Sequence, residues 1–253
     1  MNLITFSQFY NIVCEDTDQK ILDAASKFLQ QYPGIIEQTK KYITHCMYEL
    51  QRETIPLYYS VIKQLKIIPT LEMPTLAVDM CGNLWYNPLF VRDELIKDNN
   101  DAKLKGVLVH EAMHIIDRTQ ARVIAAHRSA YDKATQPAAT SDDKRVYDLI
   151  HTLGNYAYDL IINRDVKKEG FDLPDGIIAD VDENGKCTYS FDFTTKDDGA
   201  PDVKTIDVTR YTGEKAYNMF VGALHYASDK LLKQDRITQE QYNKLDEILQ
   251  KLR

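Results

Sequence analysis

The sequence predicts an α+β chain that is mainly helical, and three observations carry this reading. Apolar residues recur at helical spacing over long stretches, from about 17 to 65, 102 to 118 or beyond, 144 to 168 and 213 to 253. One strand–turn–strand pattern at 75–86 changes the period to two. A polar, turn-rich stretch near 175–211 reads as β. No internal repeat and no linker divides the 253 residues. The expectation is therefore a single domain over 1–253, with a β-rich insertion near 175–211 and C-terminal helices near 213–253.

In the first stretch, Ile21, Ala24, Ala25, Phe28 and Leu29 line one helical face. Pro33-Gly34 interrupts it. Tyr42, Cys46, Leu50 and Ile55-Leu57 carry an apolar face on to Leu65, whose simplest use is core packing. Thr75 to Met80 is strand-like, Cys81-Gly82-Asn83 is a turn and Leu84-Trp85-Tyr86 is again extended. Asn87-Pro88 then turns the chain into 90–96. Asn99, Asn100 and Asp101 are candidate N-caps for a helix from about Ala102 to at least Arg118, with a continuation to Ser129 open. Residues 135–143 read as a loop, and a second helix runs from about Lys144 to Lys168. Asn184-Gly185 between extended residues predicts a hairpin. Asp180 to Gly185 resembles the start of a calcium loop, but Phe191 stands where such a loop needs Glu, which excludes it. The last stretch divides into two helices, the second capped near Thr238.

Composition narrows the function classes. With 44% hydrophobic and 27% charged residues the chain has the profile of a soluble globular protein. A net charge of −7 argues against a general nucleic-acid binder. Cys14, Cys46, Cys81 and Cys187 form no Cys-x-x-Cys pair, so free thiols in a reducing compartment are expected. Met1 to Phe6 lacks the basic and apolar regions of a signal peptide, and no stretch reaches the roughly 20 apolar residues of a membrane span. A cytoplasmic protein without membrane attachment is the expectation.

The chemistry is concentrated in Val107-Leu108-Val109-His110-Glu111-Ala112-Met113-His114-Ile115-Ile116. His-Glu-x-x-His on a helix places His110 and His114 one turn apart on one face, where both imidazoles can reach one ion. Glu111, beside the first ligand, can touch a metal-bound water as general base. The apolar flanks mark the helix as largely buried, and buried imidazoles need hydrogen-bond partners or a metal. A catalytic zinc site takes a third protein ligand. The second helix offers His151, Asn155, Asp159 and Asn163, spaced by four on one face. His151 and Asp159 lie about 12 Å apart on it and cannot share an ion. Spacing alone leaves His151, Asp159 and His127 open.

His-Glu-Ala-Met-His followed by Asn155-Tyr156-Ala157-Tyr158-Asp159-Leu160-Ile161-Ile162-Asn163 resembles a metallopeptidase-type domain family often found before a von Willebrand A-like domain in bacteria and phages. Val78 to Pro88, Leu173-Pro174 and Gly213-Glu214-Lys215-Ala216-Tyr217 are similar to its other landmarks, in order, over most of 20–225. The resemblance implies a zincin-like fold and Asp159 as the ligand that completes a zinc site. Asn163, and Asn155 on the other side, would then accept from the free N–H of a ligand histidine. The family often carries a further His five residues after the second ligand, then an Arg. Here Thr119 takes the first position and Arg122 keeps the second. No von Willebrand A-like segment follows, so a protein partner in its place is part of the expectation.

The expected function is that of a zinc-dependent metallopeptidase acting on a peptide or protein substrate. Glu111 is its catalytic base, Zn2+ its cofactor, and His110, His114 and Asp159 its metal ligands. In zincins generally, a strand edge beside the metal helix pairs with an extended substrate, so the 75–86 hairpin is read either as such an edge or as a purely structural hairpin. His151, Tyr156, Tyr158, Arg122 and Tyr211 are candidates for a second electrophile. The alternative is a catalytically silent, metal-stabilised binding or regulatory protein, phage-encoded and host-interacting, with a partner on the helices from Tyr217 onward.

Overall fold

The structure is a computed structural model that describes residues 33–53, 56–96, 101–174, 180–191, 204–234 and 237–252. The helical face expected before Pro33, the cap candidates Asn99 and Asn100, and Cys14 lie outside them. The chain divides into two compact units, Met1–Gln120 with Asp165–Ile177, and Ala121–Arg164 with Ile178–Arg253. The described residues are mainly helical with two small sheets, an α+β arrangement.

In the first unit, α1 (Pro33–Glu53) and α2 (Pro56–Ile62) each begin at a proline. Proline suits the first helical turn, where its missing N–H has no partner to lose. The apolar face expected to run on to Leu65 is therefore carried by two helices. Ile43, Cys46, Met47 and Leu50 of α1 and Tyr58 and Ile62 of α2 are buried. The hairpin is present as β2 (Leu76–Val78) and β3 (Asn83–Tyr86), paired antiparallel. Sequence reading missed β1 (Lys66–Pro69), which pairs parallel with β3 and gives the order β1-β3-β2. Its four residues are too few to show a period against the helical pattern that precedes them.

The turn is held by Asp79. Its Oδ1 accepts from the backbone N–H of Cys81 and Asn83, and its Oδ2 accepts from Asn83 Nδ2 and Trp85 Nε1. Asn87 ends the hairpin, capping the short helix α3 (Pro88–Phe90) through its side chain and donating to the Met73 carbonyl. A one-turn π-helical segment, Val91–Leu95, follows.

The next helix, α4 (Ala102–Ile116), packs on α1, α2 and β2. Gly106 makes close approach possible, because a Cβ there would stand 1.7 Å from the Asp172 carbonyl oxygen. Leu173, beside that contact, is buried. The helix stops at Ile116, short of the Arg118 expected from sequence. Arg118 adopts a left-handed φ of 51°, which ends the helix and redirects the chain. Two short helices, α5 (Thr119–Ala126) and α6 (Arg128–Ala134), take the place of the continuation to Ser129.

The second unit contains most of α7 (Ser141–Lys168), a three-stranded antiparallel sheet and two C-terminal helices. The sheet, β4 (Asp180–Val181), β5 (Cys187–Phe191) and β6 (Lys204–Asp207), is the β-rich insertion. Its first turn is the expected one, with Gly185 at φ 73° and a Gly185 N–H to Asp182 C=O bond. Helix α8 (Gly213–Lys233) starts where no Cβ fits, since one on Gly213 would fall 2.2 Å from the Tyr158 ring. Helix α9 (Gln239–Lys251) opens with a complete capping box between Thr238 and Gln241. Ile150, Ala157, Leu160, Cys187, Val208, Ala216 and Leu252 form the centre of this unit's core. Arg164 is 8% exposed, yet its Nη1 donates to the carbonyls of Val208, Thr209 and Tyr211. The buried cation thus pins the loop after β6 onto α7. Among the described residues no helix is long and apolar enough to cross a membrane, and Cys46, Cys81 and Cys187 are free thiols.

Candidate metal centre

Helix α4 presents its polar groups on an otherwise apolar cylinder. Leu104, Val107, Leu108, Val109, Ala112 and Met113 are buried, so the helix is fixed by packing. Its two histidines project from that fixed frame one turn apart. His110 Nε2 and His114 Nε2 lie 2.9 Å from each other, with ring centroids 4.6 Å apart. Two nitrogens bound at about 2.0–2.1 Å to one tetrahedral zinc stand roughly 3.3 Å apart. The pair therefore fits a shared ion with a shift of a few tenths of an ångström.

The other nitrogen of His114 is already committed. Its Nδ1 lies 2.9 Å from Thr119 Oγ1, and Thr119 is 3% exposed. A proton on Nδ1 donated to the hydroxyl leaves Nε2 bare and able to ligate. Thr119 reaches back to His114 because the left-handed Arg118 breaks the helix between them. Sequence reading counted Thr119 only as a missing histidine; the position five residues after the second ligand was the signal that could have found it.

Glu111 is 6% exposed, and its Oε2 accepts a 3.0 Å hydrogen bond from the Val78 backbone N–H. A carboxylate this buried needs such a donor. The donor comes from β2, so the hairpin beside α4 fixes the carboxylate's direction.

Asp159 lies on α7, with Asn155 and Asn163 one turn away on either side. Asp159 is partly buried and Asn163 is 3% exposed. Asn155 Nδ2 stands 3.4 Å from His151 Nδ1. His151, 4% exposed, also packs on Tyr147, and burial holds its imidazole below the usual histidine range despite the charge of Asp148. Tyr156 packs against the core of the second unit. Arg122 pairs with Glu214, whose Oε1 also accepts from the Tyr158 hydroxyl at 2.9 Å. Burial pushes Glu214 up, but hydrogen bonds from its own backbone, Tyr158, Arg122 and Thr212 outweigh it and hold the carboxyl below its ordinary value. Tyr211 lies under the Lys215 ammonium. His127 packs on Tyr217 and burial lowers its pKa too.

Among the described residues, His110 with His114 on α4 offers ligand atoms for a metal ion, and a second set is His45 with Glu49 and Asp101. In the second set Lys105 Nζ already lies 2.6 Å from Glu49 and 3.6 Å from Asp101. Its ammonium supplies the positive charge an ion would bring. The nearby Cys46 Sγ, 3.6 Å from Asp101 Oδ2, is kept a thiol by burial and by that carboxylate. On α4, the two imidazoles of His110 and His114 are competent zinc ligands.

A family model described as "Putative metallopeptidase domain" matches residues 51–211, more than half of the 253-residue chain. No curated protein and no solved structure matches. The matched stretch contains the hairpin, the His-Glu-x-x-His helix and the Asn-x-x-x-Asp-x-x-x-Asn helix, and the chain belongs to this metallopeptidase domain family.

Proposed function

We propose that this chain is a zinc-dependent peptidase of the zincin type, with His110, His114 and Asp159 as ligands and Glu111 as general base. The observation that carries the reading is the convergence of two imidazole nitrogens, 2.9 Å apart, next to a buried carboxylate. Membership of a metallopeptidase family supports the same chemistry. When bound, zinc would acidify a water molecule and polarise the carbonyl of a peptide bond.

The chain's own residues do the rest. Glu111 takes the proton of the attacking water and delivers it to the departing amine. The Val78 N–H holds Oε2 of that carboxylate, so its plane is set before substrate arrives. Thr119 fixes the tautomer of His114. Asn155 and Asn163 are proposed to orient ligands as hydrogen-bond partners one turn from Asp159. The charge growing on the carbonyl oxygen calls for a donor, and His151, Tyr156 and Arg122 are the proposed candidates. The substrate is a peptide or protein chain taken in extended form.

The ligand assignment has a direct test. Asp159→Ala should lower zinc from about one ion per chain to a small fraction of that, read by elemental analysis of dialysed protein. Full occupancy in that variant would move the third ligand to His151 or His127.

A further inference from the structure

Among the described residues β2 is an edge strand of the first sheet, and two side chains take its outward main-chain groups. In the β2–β3 ladder the inward bonds belong to Thr75, which accepts from Asn87 N–H, and to Asp79, which donates to Asn83 C=O. Alternation along a strand then turns the main-chain groups of Val78 the other way, toward the edge. An extended chain adding to β2 would use that N–H and C=O. Both are taken. The N–H donates to Glu111, and the C=O accepts from Gln120 Nε2 at 2.9 Å.

We propose that Gln120 is an intramolecular stand-in for the substrate's main chain, a plug that an incoming peptide must displace from Val78. This rests on the peptidase reading for its consequence, though not for its geometry. The chemistry matches, because the primary amide of Gln120 offers the same N–H donor as a peptide bond. The location matches as well. The carbonyl it covers belongs to the residue whose N–H holds Glu111, so a strand paired there lies beside the proposed base. Gln120 is half-buried rather than packed away, and it follows the left-handed Arg118 by two residues. Glu111 and Gln120 differ in role. The first stays on the Val78 N–H, while the second leaves and gives its acceptor to the substrate.

Peptide binding is read in the zinc-loaded Glu111→Gln background, whose side-chain oxygen still accepts from Val78 and which does not turn over. The probe is oxidised insulin B chain, an extended, tryptophan-free peptide. Its fluorescein-labelled form reports affinity by anisotropy. Trp85, the chain's single tryptophan and the cross-strand partner of Ala77, reports occupation of the sheet by its emission. Adding Gln120→Ala should tighten binding about threefold to tenfold, the range of one hydrogen bond no longer displaced. Gln120→Met keeps the shape without the donor and should do the same, which covers the case in which the alanine variant folds poorly. In chains with Glu111 intact, KM should fall by the same factor while kcat holds. Unchanged or weaker binding in both variants, with intact folding, would overturn the plug. If the wild type never cleaves the B chain while both variants bind it more tightly, the peptidase reading fails and the plug stands. If the wild type cleaves it with the KM of both variants, the plug fails alone.

Discussion

The two helices that carry the candidate ligands use polar groups in opposite ways. On α4 the polar side chains point at one another and at the sheet: His110 at His114, His114 at Thr119, Glu111 at Val78. On α7, Arg164 and Tyr158 tie the helix to its own unit: Arg164 holds three loop carbonyls and Tyr158 donates to Glu214. The first pattern leaves two half-buried imidazoles facing one another on the helix that also carries a buried carboxylate. The second is that of a scaffold, in which buried groups are consumed by the backbone they fix. Burial of a charge therefore does not distinguish the two, since Glu111 and Arg164 are equally hidden. What their partners are does.

The largest expected effect lies on the scaffold side. Arg164→Met strips three carbonyls of their shared donor and should cost roughly 2–4 kcal/mol in urea unfolding followed by circular dichroism. A variant of wild-type stability would mean that water replaces the guanidinium and that the contrast is overstated. On the site side, Thr119→Val keeps the shape and removes the hydroxyl. Zinc affinity should fall about 10–100-fold in competition with a chromogenic chelator, with little change in the unfolding midpoint. Equal affinity would reduce Thr119 to a packing residue.

The smallest effect is a pH dependence of the second unit. Burial lowers the pKa of both His127 and His151 in the folded state. The unfolded chain then binds protons more readily than the folded one below the ordinary value of 6.5. Their contribution to stability is complete above that value and is lost as pH falls through the lowered folded pKa. Melting temperature in chelator should drop between pH 7 and 5, and His151→Phe should flatten part of that slope. A slope unchanged in that variant would show that His151 is not the residue titrating.

Contiguous chemistry was the legible part of this chain. His-Glu-x-x-His, the Asp79 to Asn83 turn, the Asn87-Pro88 exit, Asn184-Gly185 and the Thr238 cap each act within a few residues, so their spacing shows in the sequence. The supports of the site act across longer separations or through an unusual backbone. The Val78 N–H that holds Glu111 is 33 positions away, and the Gln120 amide reaches Val78 over 42. Thr119 meets His114 only because Arg118, a residue with no intrinsic preference for it, turns left-handed. Strand β1 is only four residues long, and its partner β3 lies beyond β2, so neither a period nor a local pairing reveals it.

The central claim is that α4 holds both a metal and the base that works beside it. Glu111→Gln separates these two functions in one protein. Zinc content by elemental analysis should stay at the wild-type level while cleavage of oxidised insulin B chain falls by roughly 10²–10⁴-fold. Wild-type turnover in a zinc-replete Glu111→Gln chain would contradict the account.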